Sequence, residues 1–358
     1  AQADSGLKHS CSSQRIHWLL RRRPPMRVAV VGAGSIAREF ATTHFGAATG
    51  THVACIVDVD AGKAAALARD VGSIRAGARV VGSSGYRAGA DVQRGSPVQH
   101  YAELTDTVLD ACDCVYVGTT PSSHAALALR ALRAGKHLLL EKPLAASAAD
   151  ADAIVEASER ALSEQGLVTS LNIGMRWNGA LLRMREELAA GRIGAPRGGS
   201  LSLHFRGWPR GWQQQPWVAE RAEGGPLREV GTHFLFALHE LLGHGCVGRV
   251  RANVQYPDGS AGARAEESVD GLLEVVPQGA PAPVCFQLSV KTRECARRDL
   301  YELRVDGSEG SLRLFDFTSL EGPTGQLLVD NADYGRREFV DGLVAAARRG
   351  GPPPAGAA

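Results

Sequence analysis

The stretch Arg27-Val28-Ala29-Val30-Val31-Gly32-Ala33-Gly34-Ser35-Ile36-Ala37 decides the fold. Val28 to Val31 is a short apolar, β-branched run ended by glycine, the pattern of a parallel strand buried on both faces. Ser35 to Phe45 then reads as a helix. Between them Gly32-Ala33-Gly34-Ser35-Ile36-Ala37 fits G-x-G-x-x-A. Gly32 permits the tight turn, Gly34 lets the backbone approach a pyrophosphate, and the small Ala37 lets helix and sheet pack closely. The first backbone N–H groups of the helix, around Ser35 and Ile36, have no partner within it and suit a phosphate. The stretch therefore predicts a dinucleotide site.

Downstream, His52 to Val57 forms a second buried strand closing at Asp58, which completes a βαβ unit. Asp58 stands about 20 residues past the loop, where a carboxylate accepts hydrogen bonds from the adenosine ribose hydroxyls. A 2′-phosphate would meet its charge, so NAD is expected ahead of NADP. A helix from Ala61 to about Val71 follows, then Gly- and Arg-rich sequence over about 72–96 without periodicity, read as a surface insertion. Cys114 to Val117 and Leu138 to Leu140 are further buried strands, the first followed by a helix that Ser122 and Ser123 cap and Gly135 ends. Ser147 caps another helix, and Leu167 to Leu171 is the next strand. This alternation predicts an α/β fold with a doubly wound parallel sheet of the Rossmann type. Ligands bind such sheets at the strand carboxyl ends. Thr119, Thr120, Pro121 and His124 after one strand, and Glu141 and Lys142 with Pro143 after another, are thus candidate site residues.

Beyond Gly194 the period changes. Leu201, Leu203 and Phe205 alternate with polar residues, the period-2 pattern of a half-buried strand. Similar segments recur at 249–255, 268–276, 284–292, 301–305 and 311–315, with one helix interrupting over about 230–242 and a last one over 334–349. Strands without intervening helices predict an antiparallel sheet. The expected organisation is a leader at 1–25, a Rossmann domain at 26–146, an α+β substrate and oligomerisation domain with an open, mostly antiparallel sheet at 147–350, and a tail at 351–358.

Lys and Arg number 40 against 38 Asp and Glu, a net charge of +2 too small to argue for nucleic acid or a membrane surface as partner. No apolar run approaches the roughly 20 residues that span a bilayer. The expected partners are small molecules. The seven cysteines are odd in number and lack paired metal spacing, so no metal is expected, and a reducing, cytoplasmic compartment fits best. Residues 1–25 are Ser- and Arg-rich and poor in acids. They read either as the remnant of an organelle-targeting segment or as translated leader ahead of Met26, and the chain is expected to be a fragment at both ends.

Taken together, Arg27 to Ala37, Thr119-Pro121-His124, Ala134-Gly135-Lys136-His137 and Glu141-Lys142-Pro143 resemble the Gfo/Idh/MocA family of oxidoreductases, over most of Met26 to Arg349. Gly224-Gly225-Pro226-Leu227-Arg228-Glu229-Val230-Gly231-Thr232-His233 has the spacing of that family's G-G-x-L-x-D-x-G-x-H signature, with Glu229 where an Asp is usual. The resemblance implies hydride transfer between the nicotinamide and a carbinol or ketone carbon of a sugar, cyclitol or related polyol. It implies that Lys142 reaches the nicotinamide ribose and the substrate oxygen, that Pro143 follows a cis peptide, and that His233 transfers the proton. Glu229, one turn before His233, is expected to orient it or to bind a substrate hydroxyl. The same position can simply be a helix cap. Arg176 and Trp177 fall where the family approaches the nicotinamide. Trp208, in a loop with Trp212 and Trp217, either presents a flat face to a sugar or packs the loop. Two other readings stay open: an NAD-dependent glycosidase without net redox, and a non-catalytic dinucleotide sensor. A homo-oligomer, dimer or tetramer, is expected from the family.

Overall fold

The structure is a computed structural model and describes residues 24–75, 98–213, 215–257, 259, 262–293 and 298–350. Nearly all of the expected leader, most of the expected insertion and the whole expected tail lie outside these residues.

Six strands make the first sheet: β1 (Met26–Val31), β2 (Thr51–Val57), β3 (Gln99–Tyr101), β4 (Cys114–Val117), β5 (His137–Glu141) and β6 (Thr169–Asn172). They pair in the order β3-β2-β1-β4-β5-β6, all parallel. Helix α1 (Ser35–Glu39) runs on as a π-turn over Phe40–His44. The helices α2 (Ala61–Arg75), α3 (Asp106–Asp110), α4 (Pro121–Arg133) and α5 (Ala148–Gln165) complete the connections. Every residue of β4 is buried, because helices cover both faces of the central strands. That double burial produces the unbroken apolar runs of the sequence. The strand order reverses between β1 and β4, which places a crevice at their carboxyl ends, the switch point where such sheets bind ligands.

The second sheet has eight strands: β7 (Pro196–His204), β8 (Val247–Gln255), β9 (Ser268–Val275), β10 (Val284–Lys291), β11 (Leu300–Gly307), β12 (Ser311–Phe315), β13 (Ser319–Glu321) and β14 (Leu327–Val329). Their order is β14-β13-β12-β11-β7-β10-β9-β8. All neighbours are antiparallel except β7 and β10, which pair in parallel. Leu201, Leu203 and Phe205 point inward, with Leu288 and Val290 beside them in register, and pack with helices α6 (Gly179–Ala189) and α7 (Thr232–Leu242) in one core.

Strand β6 lies beyond residue 146 yet belongs to the first sheet. Helix α8 (Arg336–Arg349) also returns to it: Phe339, Val340, Leu343 and Val344 are buried in the core beneath β1 and β2. The first sheet thus draws on both ends of the described chain. No helix among the described residues is long and apolar enough to cross a membrane, and no group of three or more His, Cys, Asp or Glu among them is placed to hold a metal ion.

Candidate active site

The glycine loop meets the next crossover at the switch point. Gly32 has φ +100, and a Cβ there would lie 2.4 Å from the carbonyl oxygen of Gly118, so only glycine lets β1 and β4 end this close together. Gly34 differs: a Cβ built on it meets no protein atom within 4 Å. Nothing in the chain itself requires glycine there, and the open space leaves room for a pyrophosphate to approach the backbone. Gly34 is the N-cap of α1, with no side-chain cap and no acid in the first turn, which leaves the N–H groups at Ser35 and Ile36 for an anion. Asp58 completes this edge. Its Oδ2 accepts from the Ala33 N–H at 2.7 Å and its Oδ1 from the Asp60 N–H at 2.8 Å, which ties the loop to the end of β2. Each oxygen keeps a lone pair for a ribose hydroxyl. These features fit a dinucleotide.

Across the crevice, Thr120 is the N-cap of α4 and Pro121 its first residue, while Thr119 Oγ1 accepts from Ser123 Oγ at 2.6 Å. Glu223, on the loop leading to Gly224-Gly225, accepts from the Ser122 N–H at 2.9 Å and so places a carboxylate on the start of α4. His124 does not line the crevice. It is fully buried, with Nδ1 3.0 Å from the carbonyl of Pro143 and Nε2 3.3 Å from that of Thr119. Burial lowers its pKa. Its part is to tie the loop after β4 to the loop after β5, and the expectation of direct cofactor contact is corrected on this burial.

Glu141 ends β5 and is buried. Its Oε1 accepts from Tyr116 Oη at 2.8 Å and from Asn172 Nδ2, and burial raises its pKa. Lys142 follows, and the Lys142–Pro143 peptide is cis. Its ammonium donates to the backbone carbonyl of Glu229 at 3.1 Å and pairs with Glu229 Oε2 at 3.0 Å. Gln213 Nε2 donates to the same carboxylate oxygen at 3.3 Å, and Arg210 holds Gln213 Oε1 through its Nε at 3.0 Å. Glu229 Oε1 is buried with no partner among the described residues.

Glu229 was expected to sit on one α-helical face with His233. Instead Leu227–Gly231 is a π-turn that leads into α7. The wider turn removes the four-residue alignment, and among the described residues Glu229 bonds to Lys142 and Gln213, not to His233. The imidazole of His233 is buried, and its Nδ1 lies 3.1 Å from Tyr334 Oη. Burial first, then the charges of Lys142, Arg210 and Arg336, push its pKa well below the usual histidine range, so the ring is neutral at pH 7.

The aromatic candidates turn out to pack. Trp177 seats against Gly335 and Gly342, where a Cβ would come within 2.4 and 3.1 Å of it, and fastens α8 to the first core. Trp208 donates from Nε1 to the Val218 carbonyl at 3.0 Å and lies edge-on to Phe205, so in this structure it packs within its loop. Arg176 is exposed on a 3-10 turn over Gly174–Trp177. A surface groove bounded by Met26, Asp113, His137 and Arg348 lies at the opposite, amino ends of the strands, with an exposed Arg27–Asp113 pair as its charged feature. Among the described residues it gathers no fully buried titratable group.

A family profile described as the oxidoreductase family with an NAD-binding Rossmann fold matches residues 26–164, and one for the GFO/IDH/MocA C-terminal domain matches residues 181–313. The chain is 31% identical over 314 residues to 1,5-anhydro-D-fructose reductase of Ensifer adhaerens, an alignment covering 86% of this chain and 80% of that one. The chain belongs to the Gfo/Idh/MocA family. As a member it is an NAD(P)-dependent oxidoreductase, and NAD is its cofactor. Another member, D-apiose dehydrogenase of Paraburkholderia graminis, is 34% identical over 203 residues, covering 56% of this chain and 50% of its own. Inositol 2-dehydrogenase 1 of Saccharopolyspora erythraea is 31% identical over 175 residues, covering 48% and 43%. Among solved structures, the fold matches GenD2 from gentamicin A biosynthesis, in complex with NAD, with TM-score 0.68 and 20% identity over 93% of this chain and 89% of that one.

Five side chains of the candidate site escape motif reading. Arg210, Gln213, Glu223, Tyr334 and Arg336 reach the site from segments with no signature. The one signal was the aromatic loop around Trp208, which carries Arg210 and Gln213 as neighbours.

Proposed function

We propose that the protein transfers a hydride between NAD(H) and a carbinol or ketone carbon of a sugar, cyclitol or related polyol. The observation that carries this reading is the meeting of Lys142 and Glu229 at 3.0 Å, from the two halves of the chain, beside a neutral buried His233. The names of the relatives above support the substrate class. NAD(H), when bound, takes up or supplies the hydride. Lys142 uses two of its three ammonium hydrogens on Glu229, so the third is available to a substrate oxygen. Glu229 holds that ammonium in place, and its unpartnered Oε1 offers an acceptor to a second substrate hydroxyl. His233 meets the reacting oxygen as a neutral imidazole, a donor or an acceptor according to which nitrogen holds its proton. Asp58 takes the adenosine ribose.

The test is calorimetric titration with NAD(H) and NADP(H), followed by a panel of polyols and ketoses read at the nicotinamide absorbance. Hydride exchange with a panel member that is lost in Lys142→Ala and His233→Asn supports the reading. Cofactor binding with no exchange on any polyol, ketose or dihydrodiol overturns it, and sugar release without net change in absorbance assigns the site to glycoside cleavage.

A further inference from the structure

We propose that Tyr334 is a positioning residue that fixes the tautomer of His233, holding the proton on Nε2 so that the resting site offers a hydrogen-bond donor to a substrate carbonyl. The inference deepens the proposed function, since it rests on His233 facing substrate. The Tyr334 hydroxyl and His233 Nδ1 are 3.1 Å apart, and neither atom has another partner among the described residues. Two arrangements are conceivable: the phenol donates to Nδ1, or Nδ1–H donates to the phenol oxygen. A phenol is a far stronger acid than a neutral imidazole N–H, and an imidazole nitrogen is a far better acceptor than a phenol oxygen, so the first is the stronger bond. Of the charges about the Tyr334 ring, the Arg336 guanidinium, 5.2 Å from its centre, favours donation and Glu141 opposes it more weakly, while burial and the charges of Lys142, Arg210 and Arg336 disfavour an imidazolium that would donate from both nitrogens.

With Nδ1 accepting, the single proton of the neutral ring resides on Nε2. That nitrogen has no hydrogen-bond partner among the described residues, and His233 keeps 9% of its surface exposed. It joins the spare hydrogen of Lys142 as a second donor. A carbonyl oxygen can accept from both at once, and so can the alkoxide that hydride addition creates. A carbinol hydroxyl meets two donors and must find an acceptor for its own hydrogen elsewhere. The resting tautomer therefore selects the oxidised, carbonyl form of the substrate.

The placement of Tyr334 is built, not incidental. A Cβ on Gly174 would come 2.7 Å from its ring, so glycine there makes room for it. Buried Asn178 donates to the Asp333 carbonyl at 3.2 Å, and Asp333 Oδ1 accepts from the Gly335 N–H at 2.8 Å, which fixes the backbone on both sides. Arg336 bonds Glu39 at the end of α1, so the tyrosine is anchored to the helix that follows the glycine loop.

The experiment is long-range proton–nitrogen correlation NMR on the full chain labelled with 15N-histidine, with and without NADH, the His233 signals being assigned by their loss in His233→Asn. The expected wild-type spectrum has Nε2 protonated and Nδ1 bare from pH 6 to 8. In Tyr334→Phe the ring relaxes toward a mixture of tautomers, NADH affinity stays within about twofold, and any ketone-reducing kcat falls with the fraction of rings whose Nε2 is left bare, roughly twofold for an even mixture. A wild-type signal protonated on Nδ1, or a Tyr334→Phe spectrum identical to wild type, overturns the inference. Should Tyr334→Phe fail to bind NADH, the wild-type tautomer decides alone. Because this reading needs no turnover, a correct tautomer with an inactive polyol panel faults only the proposed reaction, and hydride exchange with an Nδ1–H ring faults only the role of Tyr334.

Discussion

Replacing Asp58 by serine tests the cofactor edge most directly. In the folded chain the Asp58 carboxylate is held at the end of β2 by two backbone N–H groups, at 2.7 and 2.8 Å, so it cannot swing away from a ligand seated on the glycine loop. A 2′-phosphate taking the place of a ribose hydroxyl brings two like charges to about 4 Å, which at an effective dielectric of about 20 costs about 4 kcal/mol per unit charge. Asp58 is only half-buried, and salt screening reduces this. A preference for NAD(H) over NADP(H) of about 100-fold at low salt is the expected remainder. In Asp58→Ser the NADP(H) affinity rises by about that factor, while NAD(H) loses about tenfold, the worth of one charge-assisted bond to the loop. Paired calorimetric titrations at low and high salt measure both. Equal affinity of the wild type for the two cofactors, or a preference that neither the substitution nor salt alters, refutes the electrostatic reasoning.

The two loop glycines separate ligand space from protein space. Gly34→Ala is expected to leave the urea midpoint unchanged while weakening NAD(H) binding at least about tenfold, whereas Gly32→Ala, forced to φ +100 and into Gly118, loses more than about 2 kcal/mol of stability. Glu229→Ala leaves the ammonium of Lys142 enclosed with only a carbonyl partner and is expected to destabilise the fold by about 3–5 kcal/mol, a loss that a urea midpoint within error of wild type would contradict. The stability difference between wild type and His124→Gln should depend on pH. The folded pKa of His124 lies below 6.5, so below that value the unfolded chain binds a proton that the folded chain refuses. The contribution is whole above pH 6.5 and shrinks by about 1.4 kcal/mol per unit as the pH falls toward the lowered folded value. A difference constant from pH 7 to 5 in urea titrations would show that the ring titrates alike in the folded and unfolded chains.

How much of this was legible in the sequence follows the range of the interactions. The strand, glycine loop and helix at Met26 to Glu39 are specified locally, by an apolar run, two glycines and a small residue, and they stand where the pattern put them. The strands of the second sheet were visible in the alternation around Leu201 and Leu203. The parallel pairing of β7 with β10 was not, because alternation records burial and says nothing of strand direction. Strands β13 and β14 are three residues each, too short for any period. In the site, Lys142 and His233 came from a motif, but the π-turn that sends Glu229 to Lys142 has no sequence signature. Tyr334 meets His233 across 101 residues, a distance no local pattern spans. Trp177 shows the remaining limit: an aromatic near a motif looks alike whether it faces a ligand or wedges a helix, and only the glycine that caps α8 and the one within it, both opposite Trp177, decide.

The return of α8 to the first sheet bears on how the molecule is made. Strands β1 to β6 are complete by Asn172, yet one of the helices that cover them begins at Arg336. At about 5–20 residues per second, roughly 10–30 seconds of synthesis separate the two. Through that interval the emerging amino-terminal half carries an uncovered apolar groove beside β1 and β2. That groove is filled only when α8 arrives, so a cut between the halves leaves these apolar residues without that cover.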